Sequence, residues 1–168
     1  ATCVTITSKF AADGVDLILA NATSPLQAAV SATGDIPILG TSITDYATAL
    51  GMKEWNGTTG INVSGTSDLA PLDGQASMIQ ELFPEAKNIG LLYCSAEANS
   101  VYQITTIKGY LEEMGYTCTE FAFTDSNDVA SVTQTAADAS DVIYIPTDNT
   151  AAAYTETIAN VVIPAKVP

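Results

Sequence analysis

NIGLLYCSAEANSVYQITTIKGYLEEMG, residues 88–115, decides the fold. It runs from a short apolar strand (88–94) through a small polar turn (95–100) into a helix whose apolar positions recur every three or four residues. The same order returns at SDVIYIP–TDNT–AAAYTETIANVV (140–162) and at GVDLILA–NATSP–LQAAV (14–30). Repeated strand–turn–helix units predict an α/β fold with parallel sheets flanked by helices. In such sheets ligands bind at the carboxyl ends of the strands. The turns there also offer free N–H groups at helix N-termini, which suit an anion such as a carboxylate.

Working outward, the stretch from Leu72 reads αβαβαβα. Leu72, Ala76, Ile79 and Phe83 form one helical face, which Pro84 closes. A helix from about Ser100 carries Val101, Ile104, Ile107, Leu111 and Met114 on one stripe, and Gly115 ends it. Strand 116–123, helix 126–139 capped by Ser126 or Asn127, strand 141–146 and one helix over 149–162 follow. In the front segment a helix precedes VDLILA (15–20), whose continuous apolar run predicts a fully buried strand. Ser24 and Pro25 predict the N-cap and first position of a helix over 25–32. IPILGTS (36–42) is the next strand. KEWNGTTGINVSGTS (53–67) is rich in Gly, Asn, Ser and Thr and has no helical period. It is expected to cross between two lobes, the first holding residues 1–52 and the second 68–168.

The chain has 168 residues, 47% of them hydrophobic, enough for one good core or two small ones. Five lysines and no arginine face 19 acidic residues, for a net charge of −14. That balance argues against nucleic acid, an anionic membrane surface or a polyphosphate as partner. Histidine is absent, which removes Ser-His-Asp and Cys-His catalysis. Cys3, Cys94 and Cys118 lack the spacing of a zinc site. Cys94 and Cys118 lie in strand-like runs as buried thiols, with a disulfide between them as the alternative. No catalytic residue, metal or cofactor is expected. Both ends read as cut from a longer chain.

GLLYCSAEANSVYQ (90–103), VIYIPTDNTAAAYTETIA (142–159) and GTSDLAPLDGQASMIQELFPEAKNIG (65–90) resemble the extracytoplasmic substrate-binding proteins of ABC transporters. The resemblance is to the subfamily linked to tryptophan and other aromatic amino acids. KFAADGVDLILANATSPLQAA (9–29) and DIPILGTSITDYATALG (35–51) fit that family's first lobe, so the resemblance covers almost the whole chain. It implies a two-lobed, type I periplasmic-binding-protein fold that holds a small solute in its cleft. It also implies a permease partner, an amino acid ligand such as tryptophan or phenylalanine, and a longer, lipid-anchored parent whose anchoring cysteine is not Cys3. A ligand-sensing receptor module of the same fold is the alternative. An enzyme of doubly wound fold is a more distant one.

An amino acid needs N–H donors for its carboxylate and acceptors for its ammonium. The SAEANS turn offers the first through Ser95, Asn99 and Ser100. The PTDNT turn offers the second through Asp148, flanked by Thr147 and Asn149. Asn21, Ala22 and Thr23, with Thr41, Ser42, Thr44 and Asp45, are expected to contact the solute from the first lobe. Each has a structural alternative: Ser95, Asn99 and Ser100 as turn and cap residues, and Asp148, Asn149 and Asp45 as N-caps. Glu97 is expected to face solvent. Tyr93, Tyr102, Tyr144 and Tyr154 are candidates for an aromatic wall, and more often such tyrosines belong to the core. Trp55 reads as a packing residue.

Overall fold

A computed structural model describes residues 2–168. These fall into two compact units that divide between Leu69 and Ala70. Both are parallel α/β layers, as the strand–turn–helix pattern predicts.

In the first unit, α1 (Thr2–Asp13) precedes β1 (Ile18–Asn21), α2 (Thr23–Ala32), β2 (Ile38–Ile43), the short α3 (Tyr46–Ala49) and β3 (Val63–Ser67). The sheet order is β1-β2-β3, all parallel. Its core joins Ile18, Ala20, Ile38, Ile43 and Val63 to Leu26, Ala29, Tyr46 and Ala49. The period-2 geometry of a strand puts Leu17 and Leu19 on the other face, where they are 49% and 69% exposed. The fully buried strand expected at 15–20 is therefore half-buried and shorter. Residues 63–67, expected within an aperiodic crossover, instead form β3 and pair with β2. Only Val63 of β3 is buried, so its sequence carries no apolar alternation for the eye to find. Gly40 and Gly65 face each other in register and leave room for Tyr46, whose hydroxyl donates to Gly40 O (3.0 Å). A Cβ at Gly65 would stand 2.0 Å from Gly40 O and 2.2 Å from that hydroxyl.

The second unit runs α4 (Leu72–Leu82), β4 (Asn88–Cys94), α5 (Ala98–Glu113), β5 (Thr117–Phe123), α6 (Val129–Ala139), β6 (Val142–Tyr144), α7 (Asn149–Ala153) and α8 (Thr155–Ala165). Its parallel sheet has the order β5-β4-β6. Central β4 is buried on both faces from Ile89 to Cys94. Ile89, Leu91 and Tyr93 join a core with Leu72, Ala76, Ile79, Ile104, Ile107 and Leu111 from α4 and α5. Leu92 and Cys94 turn the other way, to Phe123, Val129 and Ile158. Val101, expected on the α5 stripe, is 40% exposed.

Helix starts differ from expectation in a consistent way. α2 begins at Thr23, which puts Ser24 and Pro25 inside its first turn; proline is tolerated there because those N–H groups have no helical acceptor. α5 begins at Ala98, so Asn99 and Ser100 are helical. α6 begins at Val129, after an N-cap Asp128 whose side chain makes no capping bond. The single helix expected over 149–162 breaks at Tyr154 into α7 and α8. The cysteines are free. Cys118 pairs with Ile89 and Cys94 with Phe123, five register positions away. That is about 16 Å at the ordinary strand rise, too far for the alternative disulfide.

Candidate functional site

The carboxyl ends of β4 and β6 carry the two turns that the sequence singles out. They are bound to each other through buried carboxylates. Asp148 is 4% exposed. Its Oδ2 accepts from the Cys94 amide (2.7 Å) and from Ser100 Oγ (2.7 Å), while Oδ1 accepts from the Ala151 amide and so caps α7 (2.8 Å). All three donors come from this unit, so the carboxylate expected to meet a ligand ammonium also ties the two turns and α7 together.

Glu97, expected in solvent, is 7% exposed. It accepts from the Asn149 amide (3.0 Å) and Nδ2 (2.7 Å), and from the Thr150 amide (2.9 Å) and Oγ1 (2.8 Å). Burial pushes its carboxyl up, but the donors of Asn149 and Thr150 together outweigh burial and hold it below the usual range. Glu97 and Asp148 thus close the N-terminus of α7 from two sides. A sequence signal did exist: an acidic residue between two small ones, immediately before a helix.

Two amides complete the junction. Gln103, absent from the expected site residues, exchanges bonds with Thr147: its Nε2 donates to Thr147 O (3.1 Å) and its Oε1 accepts from the Thr147 amide (3.1 Å). Gln103 lies one turn beyond Asn99 on α5, and that spacing was its only signal. Asn99 Nδ2 donates to Thr147 O (3.0 Å), Glu97 Oε2 (3.3 Å) and Ser100 Oγ (3.3 Å). Asn99 Oδ1 is the one buried side-chain nitrogen or oxygen among the described residues with no partner. Asn99, Ser100 and Asp148 are buried; Ser95, Thr147 and Asn149 are exposed. Ser95 is tied to β5 through its amide, which donates to Phe123 O (2.9 Å). Beside the PTDNT turn lies a depression of about 290 Å³ lined by Pro146, Thr147, Asn149 and Thr155 among others.

Two tyrosines proposed as an aromatic wall are committed within the second unit. Tyr93 donates to Glu120 (2.9 Å), which also accepts from Lys108 (2.8 Å). Tyr144 donates to Gln75 (2.7 Å). Burial pushes both hydroxyls up to about 12, and for Tyr93 the Glu120 carboxylate adds to the effect.

In the first unit the strand ends also gather the expected residues. Asn21 pairs with Thr41 and Ile43 with Ser67. Ala22 (φ 88°, ψ 162°) sits in a backbone region that is nearly glycine's alone, and its amide donates to Thr41 O (3.0 Å). Ser42 has φ 54°, at the irregularity between Gly40 and Ile43. Thr23 and Thr44 are buried. Thr44 O accepts from Ser67 Oγ (2.9 Å). Asp45 caps α3 through the Thr48 amide (2.7 Å). No side chain caps the N-terminus of α2.

Comparison with known proteins gives this arrangement its context. The family model for ABC transporter substrate binding protein matches residues 1–168. The chain belongs to that family. The tyrosine-binding protein of Clostridioides difficile is 38% identical over 148 residues, covering 88% of this chain and 43% of that protein. The solved ABC domain from Streptococcus pneumonia in complex with L-Trp is 35% identical, with a TM-score of 0.93 over 99% of this chain and 57% of its own. A conserved domain protein from Vibrio cholerae is 37% identical, with the same TM-score over 99% and 56%. The chain therefore spans about half the length of the relatives it matches. The fold of these substrate-binding proteins is the two-lobed periplasmic-binding type, with parallel sheets flanked by helices, as expected from the resemblance.

Proposed function

We propose that this chain is the solute-holding part of an extracytoplasmic component of an ABC importer, and that its solute is an amino acid of the aromatic class. The observation that carries the reading is the pair of cross-locked turns at the ends of β4 and β6. They hold Ser95, Thr147 and Asn149 exposed over an anchored polar network. A network of this kind fixes a polar rim without the entropy cost of ordering it when a solute arrives. The amino acid class is supported by the L-Trp complex and the tyrosine-binding relative, each a statement about that protein.

On the second unit the contacting residues are Ser95, Asn99, Thr147 and Asn149, while Ser100 and Asp148 position them. On the first unit they are Asn21, Ala22, Thr23, Thr41, Thr44 and Asp45. Strain at Ala22 and Ser42 favours that assignment, because backbone held in such regions clusters at ligand sites. The protein delivers its solute to a membrane permease from outside the cytoplasm, tethered by lipid. No described helix is long and apolar enough to cross a membrane.

The test is thermal unfolding of the protein carrying this chain, with and without each of the twenty amino acids. A ligand at about 100 times its Kd adds about 2.7 kcal/mol to folding stability. A selective upward shift with tryptophan, tyrosine or phenylalanine is the expected result. A flat response to all twenty overturns the amino acid reading.

A further inference from the structure

Between α3 and β3 the chain runs through residues 50–62 without helix or strand. Within that loop Asn56, Gly57 and Thr58 are all exposed, and none belongs to the solute site proposed above. Asn56 Oδ1 accepts from the Thr58 amide (3.1 Å) and from Thr58 Oγ1 (2.8 Å), which closes an Asx turn over Gly57. Gly57 has φ 91°, and a Cβ built on it would meet no atom within 4 Å.

This turn sets a side chain against its own backbone. The Asn56 Cγ is an amide carbonyl carbon, and the next nucleophile along the chain is the Gly57 nitrogen. Glycine has no side chain to crowd that nitrogen and leaves the backbone free to bring it up. Attack turns Oδ1 into an oxyanion, so the two Thr58 donors already on Oδ1 stabilise the charge that develops. Both hydrogen bonds of the Asn56 side chain run through Oδ1, which leaves Nδ2 free to depart. The other asparagines lack this combination. Asn56 is the only one followed by glycine. Asn62, Asn88, Asn99 and Asn149 each have Nδ2 tied to an acceptor.

We infer that Asn56 is a site of spontaneous deamidation, a covalent modification that the Asx turn with Thr58 promotes. Base in the solvent takes the Gly57 N–H proton, and the Gly57 nitrogen bonds to Asn56 Cγ. The Cγ–Nδ2 bond breaks, and the nitrogen takes a proton from water and leaves as ammonia. The product is a cyclic succinimide spanning residues 56 and 57. Water opens it at either carbonyl, giving aspartate or, with the backbone routed through the side chain, isoaspartate. No oxidant, reductant or cofactor is consumed. The net charge of −14 becomes more negative by one. The new carboxylate lies at the rim of a depression of about 270 Å³ that Trp55, Gly57 and Thr58 help to line.

The experiment is peptide mapping by mass spectrometry of the protein carrying this chain, kept folded in mildly alkaline buffer. The fragment holding Asn56 should gain the mass of an amide-to-acid conversion and split into aspartate and isoaspartate forms. It should do so before any fragment holding another asparagine. Gly57→Ala should slow the conversion by about tenfold, the factor set by the cost of left-handed backbone to a residue with a Cβ. Thr58→Val keeps the side-chain shape but removes the hydroxyl donor. It should slow the conversion by about two- to tenfold, the scale of one neutral hydrogen bond. Thr58→Ser, which keeps the hydroxyl, should restore the rate. Thr58 is exposed, so these variants alter the turn without touching a core. In urea, where the turn is lost, Thr58→Val and the unaltered chain should convert equally fast. An Asn56 that stays unmodified, or that converts only after other asparagines, overturns the inference. So does a folded Thr58→Val that converts as fast as the unaltered protein, because the turn then contributes nothing.

Discussion

The two units carry the same strand–turn–helix plan, yet they hold their strand ends in opposite ways. In the second unit, buried side chains do it. Glu97, Asn99, Ser100, Gln103 and Asp148 bind two turns together over relaxed backbone. In the first unit the backbone itself is strained, at Ala22 and Ser42, and no side chain caps α2. A polar network resists deformation but fails when one member is lost, because each donor it served is left buried and unpaired. Strained backbone stores about 1–3 kcal/mol per residue and depends on packing around it. Single substitutions should therefore hurt the second unit most, and one of them should help the first.

The largest effect is expected from Asp148→Ala. It strips the acceptor from the Cys94 and Ala151 amides and from Ser100 Oγ at once. With unpaired buried donors costing about 1–3 kcal/mol each, a loss of about 3–5 kcal/mol is expected after partial relaxation. Hydrogen exchange should show it in α7 and the start of α5. Trp55, the only tryptophan, lies in the first unit and supplies an internal control. If Trp55 fluorescence reports the same shift as α7 exchange, the two units do not unfold separately and the contrast between them fails.

Much of this arrangement was legible in sequence because the second unit's central strand, β4, is buried on both faces. β4 reads as an apolar run for that reason, and α4 and α5 show apolar stripes, with Val101 of the α5 stripe left exposed. β3 was not legible, since a polar edge strand with one buried residue has no periodicity. Leu19 misled in the opposite direction: an apolar residue on a strand promises burial only if something covers that face. In the site, the turns were visible but the direction of their side chains was not. Glu97 was expected in solvent and Asp148 toward a ligand or as an N-cap, yet both are buried within the junction. Their burial depends on donors 48 to 54 residues away, which no local pattern encodes.

An intermediate effect should follow acidification. Glu97 has its carboxyl held below the usual range, so it binds a proton less readily in the folded chain than in the unfolded one. Its contribution is therefore fully present above the unfolded value, about 4.3, and is lost as pH falls through the lower folded value. Glu120 and Asp141, also lowered, act in the same acid window. The informative quantity is thus the difference between the unaltered chain and Glu97→Gln. That difference should be about 1–3 kcal/mol in favour of Glu97 at neutral pH, should start to shrink below about pH 4.3, and should close only below the lowered folded value. Urea unfolding at several pH values measures it. A difference independent of pH would mean that the shape of Glu97, rather than its charge, holds α7.

The smallest effect is a gain. Ala22 adopts φ 88° and ψ 162°, a region open to glycine without steric cost. Ala22→Gly relieves about 1–3 kcal/mol of strain and gives back about 0.5–1 kcal/mol through the greater freedom of glycine in the unfolded chain. A net stabilisation of about 1 kcal/mol is expected, read by Trp55 fluorescence during urea unfolding. No comparable gain is open at the second unit's turns, where Glu97 and Asp148 precede their helices in ordinary extended backbone. If the solute depends on the direction in which Ala22 fixes the first amides of α2, the stabilised variant binds it less tightly, since glycine leaves that direction free in the unliganded protein. A variant that is both more stable and equally tight would show that the strain at Ala22 serves packing alone. The first unit would then owe its strand-end geometry to Thr41, Ser42 and Asp45.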